Sequence, residues 1–392
     1  MIFGNVKFNS IQDDCLAVYF KSPNSFTGED VVEIQMHGGI KLLEETVKQL
    51  INNGATMAQQ GEFSKRAVLN GKMDITEAEA LIDMINAQSV CEMQVASSQL
   101  KGELHKTIVS MQNSLTNLIA TIEVALDFPE HEETYAEEKL KAELPEIINT
   151  MKTLINSENM GTKIKNGINI TLIGKPNVGK SSLLNALVGF NRAIVTNIAG
   201  TTRDTINESY EYKDIRFNVT DTAGIHSSED VVEQEGIKRA INTINESDIA
   251  VKVLDSEEKT ADSKEILALT HENYITILNK CDLSSSENNA FDLCVSAKEN
   301  INIDKLKELI YQKTIDKNIL SSQVIITNLR HGELLKKAKQ TLENAVLDLQ
   351  NVSLDCTAVL IRNAWDLLGQ ITGETSNEKI IDTIFSKFCL GK

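Results

Sequence analysis

The sequence has little with which to grip a nucleic acid. Its 39 lysines and arginines are outnumbered by 56 aspartates and glutamates, giving a formal net charge of −17 at pH 7. Binding through phosphates alone needs a basic face, and the bulk charge opposes one. Any RNA contact therefore requires a local basic patch or the surface of a partner. Aromatics are scarce, with one Trp, six Tyr and eleven Phe, so no platform for stacking bases stands out. No uninterrupted apolar run approaches the length of a bilayer crossing, and no membrane span is expected. The opening MIFGNVKFNS has neither a basic start nor an apolar core, so no signal peptide is expected. Cysteines at positions 15, 91, 281, 294, 356 and 389 show no C-x-x-C pairing. They read as reduced thiols of a cytoplasmic protein rather than a disulfide or zinc framework. A G-x-G-x-x-G that would hold a dinucleotide is also missing.

What is present fills two or three domains. The 392 residues are 41% hydrophobic and 24% charged, ordinary values for a globular chain. Residues 1–72 are mixed, with strand-like CLAVYF (15–20) and VVEIQM (31–36), then a helix-like GIKLLEETVKQLI running to Gly54. GEFSKRAVLNGK (61–72), rich in glycine and charge, reads as a loop. From Asp74 to about Asn159 the texture is helical. Leu100, Leu104, Ile108, Met111, Leu115, Leu118, Ile122 and Ala125 recur at steps of three and four, the stripe of a packed bundle helix. Asp127-Phe128-Pro129 interrupts it, and Leu140, Leu144, Ile147, Met151 and Leu154 continue on a second helix. Between Ile168 and about Lys317, short β-branched runs (INITLIG, IRFNVTDT, IAVKVLD, YITILNK) alternate with helices, as a parallel α/β sheet requires. Helix returns after Leu320 through Leu334, Leu335, Ala338, Leu342, Ala345 and Leu349. TSNE (375–378) forms a capping box ahead of KIIDTIFSKF. The α/β unit is thus expected as an insertion in a helical domain. The boundaries are 1–72, 73–162, 163–318 and 319–392.

The chemistry concentrates in the α/β segment. GKPNVGKS (174–181) fits G-x-x-x-x-G-K-[ST] and lies between a predicted strand and a predicted helix, the context a phosphate-binding loop needs. Its glycines let the backbone wrap phosphates, Lys180 reaches the β- and γ-oxygens, and Ser181 ligates Mg²⁺. Asn177, Val178, Gly179 and Ser182 complete the loop and the start of its helix. DTAG (Asp221, Thr222, Ala223, Gly224) ends the third strand. In NKCD, Asn279 and Lys280 precede Asp282, whose carboxylate accepts from the N1–H and 2-amino edge of guanine, donors that adenine does not present together. Ser296, Ala297 and Lys298 close the base pocket, with the Ala297 N–H expected to face the base oxygen. TNIAGTTRD (196–204) falls where a switch loop belongs, and Thr202 is the candidate to complete the Mg²⁺ shell. The site is one for GTP rather than ATP.

Ile225 occupies the position after D-x-x-G where Ras-like GTPases carry a water-orienting glutamine, and it can neither donate nor accept a hydrogen bond. The group that positions the water must come from HSSEDVVEQEG (226–236). On position alone Glu229, Asp230, Glu233 and Glu235 compete, since acidic runs at a helix start also serve the helix dipole.

Together these motifs resemble the TrmE/Era/Der branch of GTPases. SFTGEDVVEIQMHGG (25–39), GEFSKRAVLNGKMD (61–74) and the terminal FCLGK (388–392) narrow the resemblance to the MnmE (TrmE) family, over essentially the whole chain. The resemblance implies a Ras-like P-loop GTPase domain inserted into a helical-bundle domain, with an α+β folate-binding-like domain in front. It begins part-way into the family's N-terminal domain, without the arginine that the family draws from the preceding strand and loop. It implies a GTPase that dimerises and works with the flavoprotein MnmG, which carries the FAD. The product is a 5-aminomethyl or 5-carboxymethylaminomethyl group on the wobble uridine of tRNA. The one-carbon unit comes from 5-formyl- or 5,10-methylenetetrahydrofolate.

By the same resemblance Glu33, Lys72 and Lys392 bind folate. Potassium is held by Asn177, Thr196, Ile198 and Thr201 within a segment that also includes Asn197, Ala199 and Gly200, supplying charge an arginine finger gives elsewhere. Glu233 is the water-positioning carboxylate, and Cys389 serves modification. Two other classes compete: a ribosome-assembly GTPase of the Era/Der kind, which calls for a basic RNA-binding appendage, and a switch scaffold that binds GTP and modifies nothing.

Overall fold

The computed structural model describes residues 1–8, 11–189, 208–221, 244–255, 273–283, 291–320, 324–349, 352–375, 378–386 and 388. They form two compact units, one of residues 1–85, 96–152 and 333–392, the other of 86–95 and 153–332.

The first unit opens with a three-stranded antiparallel sheet in the order β1 (Ile2–Phe8), β2 (Ile11–Phe20), β3 (Val31–Gln35). Cys15 stands opposite Gly4 and Glu33 opposite Val18. The first strand is not legible in MIFGNVKFNS, whose apolar Met1, Ile2, Phe3, Val6 and Phe8 do not fall at steady steps of two. Helix α1 (Ile40–Asn52) follows as expected. GEFSKRAVLNGK is a correction: it is not a loop but helix α2 (Glu62–Leu69) with its punctuation at the ends. Gly61 is the N-cap in the left-handed region, and Gly71 follows the Asn70 C-cap in the same region. The Glu62 carboxylate accepts the Gln59 N–H at 2.8 Å and bonds Arg66 one turn on, so its charges serve the helix.

Helices α3 (Ile75–Asn86), α4 (Val90–Leu100), α5 (Glu103–Asp127) and α6 (Pro129–Asn166) come next. Phe128 separates the last two, with Pro129 at the first helical position, where its missing N–H costs nothing. The α5 stripe from Leu104 to Ala125 is buried, as are Leu140, Leu144, Ile147, Met151 and Leu154 of α6.

The second unit is built on a six-stranded sheet. Its strands are β4 (Ile168–Ile173), β5 (Glu208–Tyr212), β6 (Ile215–Asp221), β7 (Ile249–Asp255), β8 (Tyr274–Asn279) and β9 (Leu293–Cys294), in the order β5-β6-β4-β7-β8-β9. All neighbours are parallel except β5 and β6. That hairpin turns on Lys213 and Asp214, both at positive φ, a pair twisted to suit a two-residue connection. Lys-Asp lacks the glycine that usually announces such a turn, and ESYEY offers only two tyrosines among polar residues, so the sequence does not announce the edge strand. β7 is buried at every residue, as a strand covered on both faces must be. Helices α7 (Lys180–Val188), α8 (Ile303–Thr314) and the short α9 (Lys317–Leu320) belong to this unit. α10 (Leu329–Asp348), α11 (Leu354–Thr372) and α12 (Glu378–Phe385) complete the chain. The architecture is an α/β domain inserted between helical segments. No helix among the described residues is long and apolar enough to cross a membrane.

Candidate nucleotide site

The site gathers at the C-terminal ends of β4, β6, β7 and β8, where a parallel sheet opens its ligand crevice. β4 ends at Ile173, residues 174–179 loop over, and α7 begins at Lys180. A helix start presents unpaired N–H groups and the positive end of its dipole, the usual seat of a phosphate. Two glycines are required there. A Cβ on Gly174 would run into the Val253 carbonyl, and one on Gly179, at φ +92°, would run into the Asn279 amide. Asn177 also takes a left-handed backbone, at φ +69°, and its side chain is exposed. Lys180 is buried, and its ammonium donates to the carbonyls of Gly174 at 2.6 Å and Lys175 at 2.8 Å. The lysine thereby holds the loop in a curl around itself, a shape that keeps a concentrated positive charge at the helix start.

Ser181 donates its hydroxyl to the Asp221 carboxylate at 2.9 Å. Asp221 closes β6 beside Leu172 of β4, so adjacent parallel strands bring the two side chains to one corner. A hydroxyl and a carboxylate are hard oxygen donors and fit Mg²⁺.

Asn279 ties the phosphate loop to the base-side loops. It is buried, donates from Nδ2 to the Val178 carbonyl at 2.8 Å, and accepts the Ala297 N–H at 3.1 Å. The Ala297 N–H, expected to face the base oxygen, is therefore turned to Asn279, because the buried amide needs that donor. Lys280, at φ +60°, reaches back to Asp255 at the end of β7, 2.8 Å away. Asp255 belongs to none of the sequence motifs; the signal it leaves is an acid closing a strand, IAVKVLD, whose only other charge is Lys252. Asp282 is exposed, and the neighbouring Ser296 hydroxyl holds its carboxyl below the ordinary carboxylate range. Ser296 is buried and fixed through backbone bonds to Ile301. An ionised acceptor on an anchored loop suits a ligand edge with two donors. Ser182 and Lys298 are exposed at the margins.

Elsewhere, Glu33 is exposed on β3, whereas Lys72 donates to the Pro23 carbonyl at 2.9 Å and packs its stem on Gly28. Thr196, Asn197, Ile198, Ala199, Gly200, Thr201, Thr202, Thr222, Ala223, Gly224, Glu233, Cys389 and Lys392 lie outside the described residues.

With this geometry in hand, the chain compares with known proteins as follows. The MnmE helical domain family matches residues 75–389, and the family described as GTP-binding protein TrmE N-terminus matches 2–72. A protein of Finegoldia magna named tRNA modification GTPase MnmE is 40% identical over 404 residues, covering 100% of this chain and 89% of the relative. One of the same name from Clostridioides difficile is 38% identical over 411 residues, with the same coverage of both. The G domain of the T. maritima FeoB iron transporter aligns over 38% of this chain and 99% of its own, at 23% identity and a TM-score of 0.30, an overlap too small to weigh.

Proposed function

This chain belongs to the MnmE family of tRNA modification GTPases, and on that premise we propose that it binds GTP at the site above and couples hydrolysis to tRNA modification. The observation that carries the reading is Asn279, whose one buried amide joins the phosphate loop to the loop of Ser296 and Ala297 beside the exposed Asp282 carboxylate. Family membership sets aside the ribosome-assembly alternative. The test is Asp282→Asn. An amide offers a donor to one of guanine's two donors, so GTP affinity should fall and xanthosine triphosphate, which presents an acceptor there, should bind better than GTP. Equal GTP affinity in the variant would remove this loop from base recognition.

The finer assignments extend that reading. Residues 163–318 form the GTPase domain, 1–72 the folate and dimerisation domain, and 73–162 with 319–392 the helical domain. Ser181 and Asp221 fit one corner of a Mg²⁺ shell that Thr202 completes. Asn177, exposed in the phosphate loop, offers an oxygen to potassium together with Thr196, Ile198 and Thr201, and a bound cation supplies positive charge at the β–γ bridge. Glu233 positions the attacking water, since Ile225 has no polar atom. Glu33, Lys72 and Lys392 serve the folate. Lys72 keeps two donors beyond its bond to Pro23. A dimer is supported by α1, where Ile40, Leu43, Val47, Leu50 and Ile51 are all exposed along one apolar face. With MnmG supplying the flavin, the product is the aminomethyl or carboxymethylaminomethyl group on wobble uridine, made in the cytoplasm where tRNA is modified, with Cys389 assisting.

A further inference from the structure

The β5–β6 hairpin is the only stretch of chain that joins the two segments expected to sense the nucleotide. TNIAGTTRD ends shortly before β5 starts at Glu208, and β6 ends at Asp221, the first residue of DTAG. The hairpin is thus continuous in sequence with both.

The hairpin is gripped by the start of α4. The Cys91 N–H donates to the Asp214 carbonyl at the turn, 2.9 Å away, and the Val90 N–H reaches the Glu211 carboxylate at 3.4 Å. Cys91 is itself buried in the core of this unit, where burial pushes its thiol up to about 11. Arg216 on β6 donates to the Gln88 side chain and, at 3.1 Å, to the Lys165 carbonyl at the end of α6. Two strand residues further on, Asn218 holds the Asn166 carbonyl at 3.0 Å. Between α6 and β4 sits Gly167 at φ +82°, where a Cβ would meet the Arg216 Nε at 2.8 Å and the Asn218 amide at 2.7 Å. The hairpin thus holds the start of α4 through β5 and the turn, and the end of α6 through β6, and the chain passes between the two compact units along these helices, since each begins in one and ends in the other. The grip also has a spare donor. The buried Nε–H of Arg216 has no acceptor among the described residues, and a buried donor left unpaired favours any rearrangement that pairs it.

We propose that Arg216 is a positioning residue, and that its clasp on Gln88 and Lys165 is the joint through which the nucleotide state reaches α4 and α6, the helices that carry the chain between its two compact units. The proposal rests on the GTPase reading above. Coupling between sites needs an element whose arrangement both sites bias, and this hairpin is continuous with the nucleotide site and bonded to the ends of the two helices that leave its unit.

The test uses the full chain. Hydrogen exchange of amides 88–95 is compared between GDP and a non-hydrolysable GTP analogue, alongside GTP turnover and reconstituted tRNA modification. Wild type should show nucleotide-dependent exchange at Val90 and Cys91. Arg216→Met, which keeps the stem and removes the guanidinium, should lose that dependence. It should keep GTP turnover and lose modification by about tenfold, within the range of a typical coupling energy. Gln88→Ala, made at an exposed position where folding is not at stake, should act in the same direction. Equal exchange in both nucleotides with an active wild type, or full modification by both variants, would overturn the joint alone. A wild-type chain that modifies nothing would overturn the functional reading and the joint with it.

Discussion

Asn279 and Val178 are 101 residues apart in the chain and 2.8 Å apart in space, with the side-chain amide of one donating to the carbonyl of the other. The same amide accepts the Ala297 N–H, so a single buried group sets the spacing between the phosphate side and the base side. Asn279→Ala strands the buried Val178 carbonyl and deprives the half-buried Ala297 N–H of its acceptor. A buried group left unsatisfied costs about 1–3 kcal/mol, so the carbonyl alone should weaken GTP binding roughly 5- to 150-fold. Titration with a fluorescent GTP analogue reads this directly, and an unchanged dissociation constant would mean that the loops hold their spacing without the amide.

A second prediction concerns acid stability. Glu308 on α8 accepts from Lys213 at 2.6 Å, from Gln312 and from the Tyr212 hydroxyl at 2.8 Å. These bonds, Lys213 first, hold its carboxyl down at about 2 rather than 4.5. A folded pKa below the unfolded one means the ionised form favours the fold. That contribution is complete above pH 4.5 and disappears as pH falls toward 2. Glu308→Gln should therefore melt below wild type at pH 7, with the gap closing through that window. Parallel melting curves at three pH values decide it, and a gap that persists at the acid end would assign the loss to packing.

The third prediction concerns the cation. Asn177 has its exposed amide at the crest of the phosphate loop. GTP turnover should be faster in potassium than in sodium at equal ionic strength, and Asn177→Ala should abolish the advantage. Equal rates in the two salts would remove the cation from the hydrolysis step.

Much of this architecture was written in periodicity. The α5 stripe and the four β-branched runs were readable because burial on one face, or on both, leaves a regular signature. Elements stabilised by other means were not. The β5 strand has one fully buried side chain, Tyr210, and its partner on β6 is Phe217, stacked at 5.3 Å. Neither residue advertises a strand alone. α2 was hidden by its own caps, since the glycines that end a helix look like those that make a loop. In the site, the residues that meet around Lys180 came from contiguous motifs. Long-range pairings such as Lys280 with Asp255, or Arg216 with Gln88, have no local pattern and emerge only when strands bring distant segments together.

The core of the α/β unit includes Met160 and Ile164 from α6, Cys91 from α4 and Ile325 from beyond α9, alongside the sheet's own Ile168, Ile170 and Leu172. The insertion is therefore upholstered with side chains borrowed from its host. Cutting it out at residues 163 and 318 would strip part of the apolar interior, and grafting it into another helical frame would demand that the new host bring a cysteine, a methionine and an isoleucine to the places of Cys91, Met160 and Ile325. An engineer who wishes to move this nucleotide switch has to carry the ends of the neighbouring helices along with it.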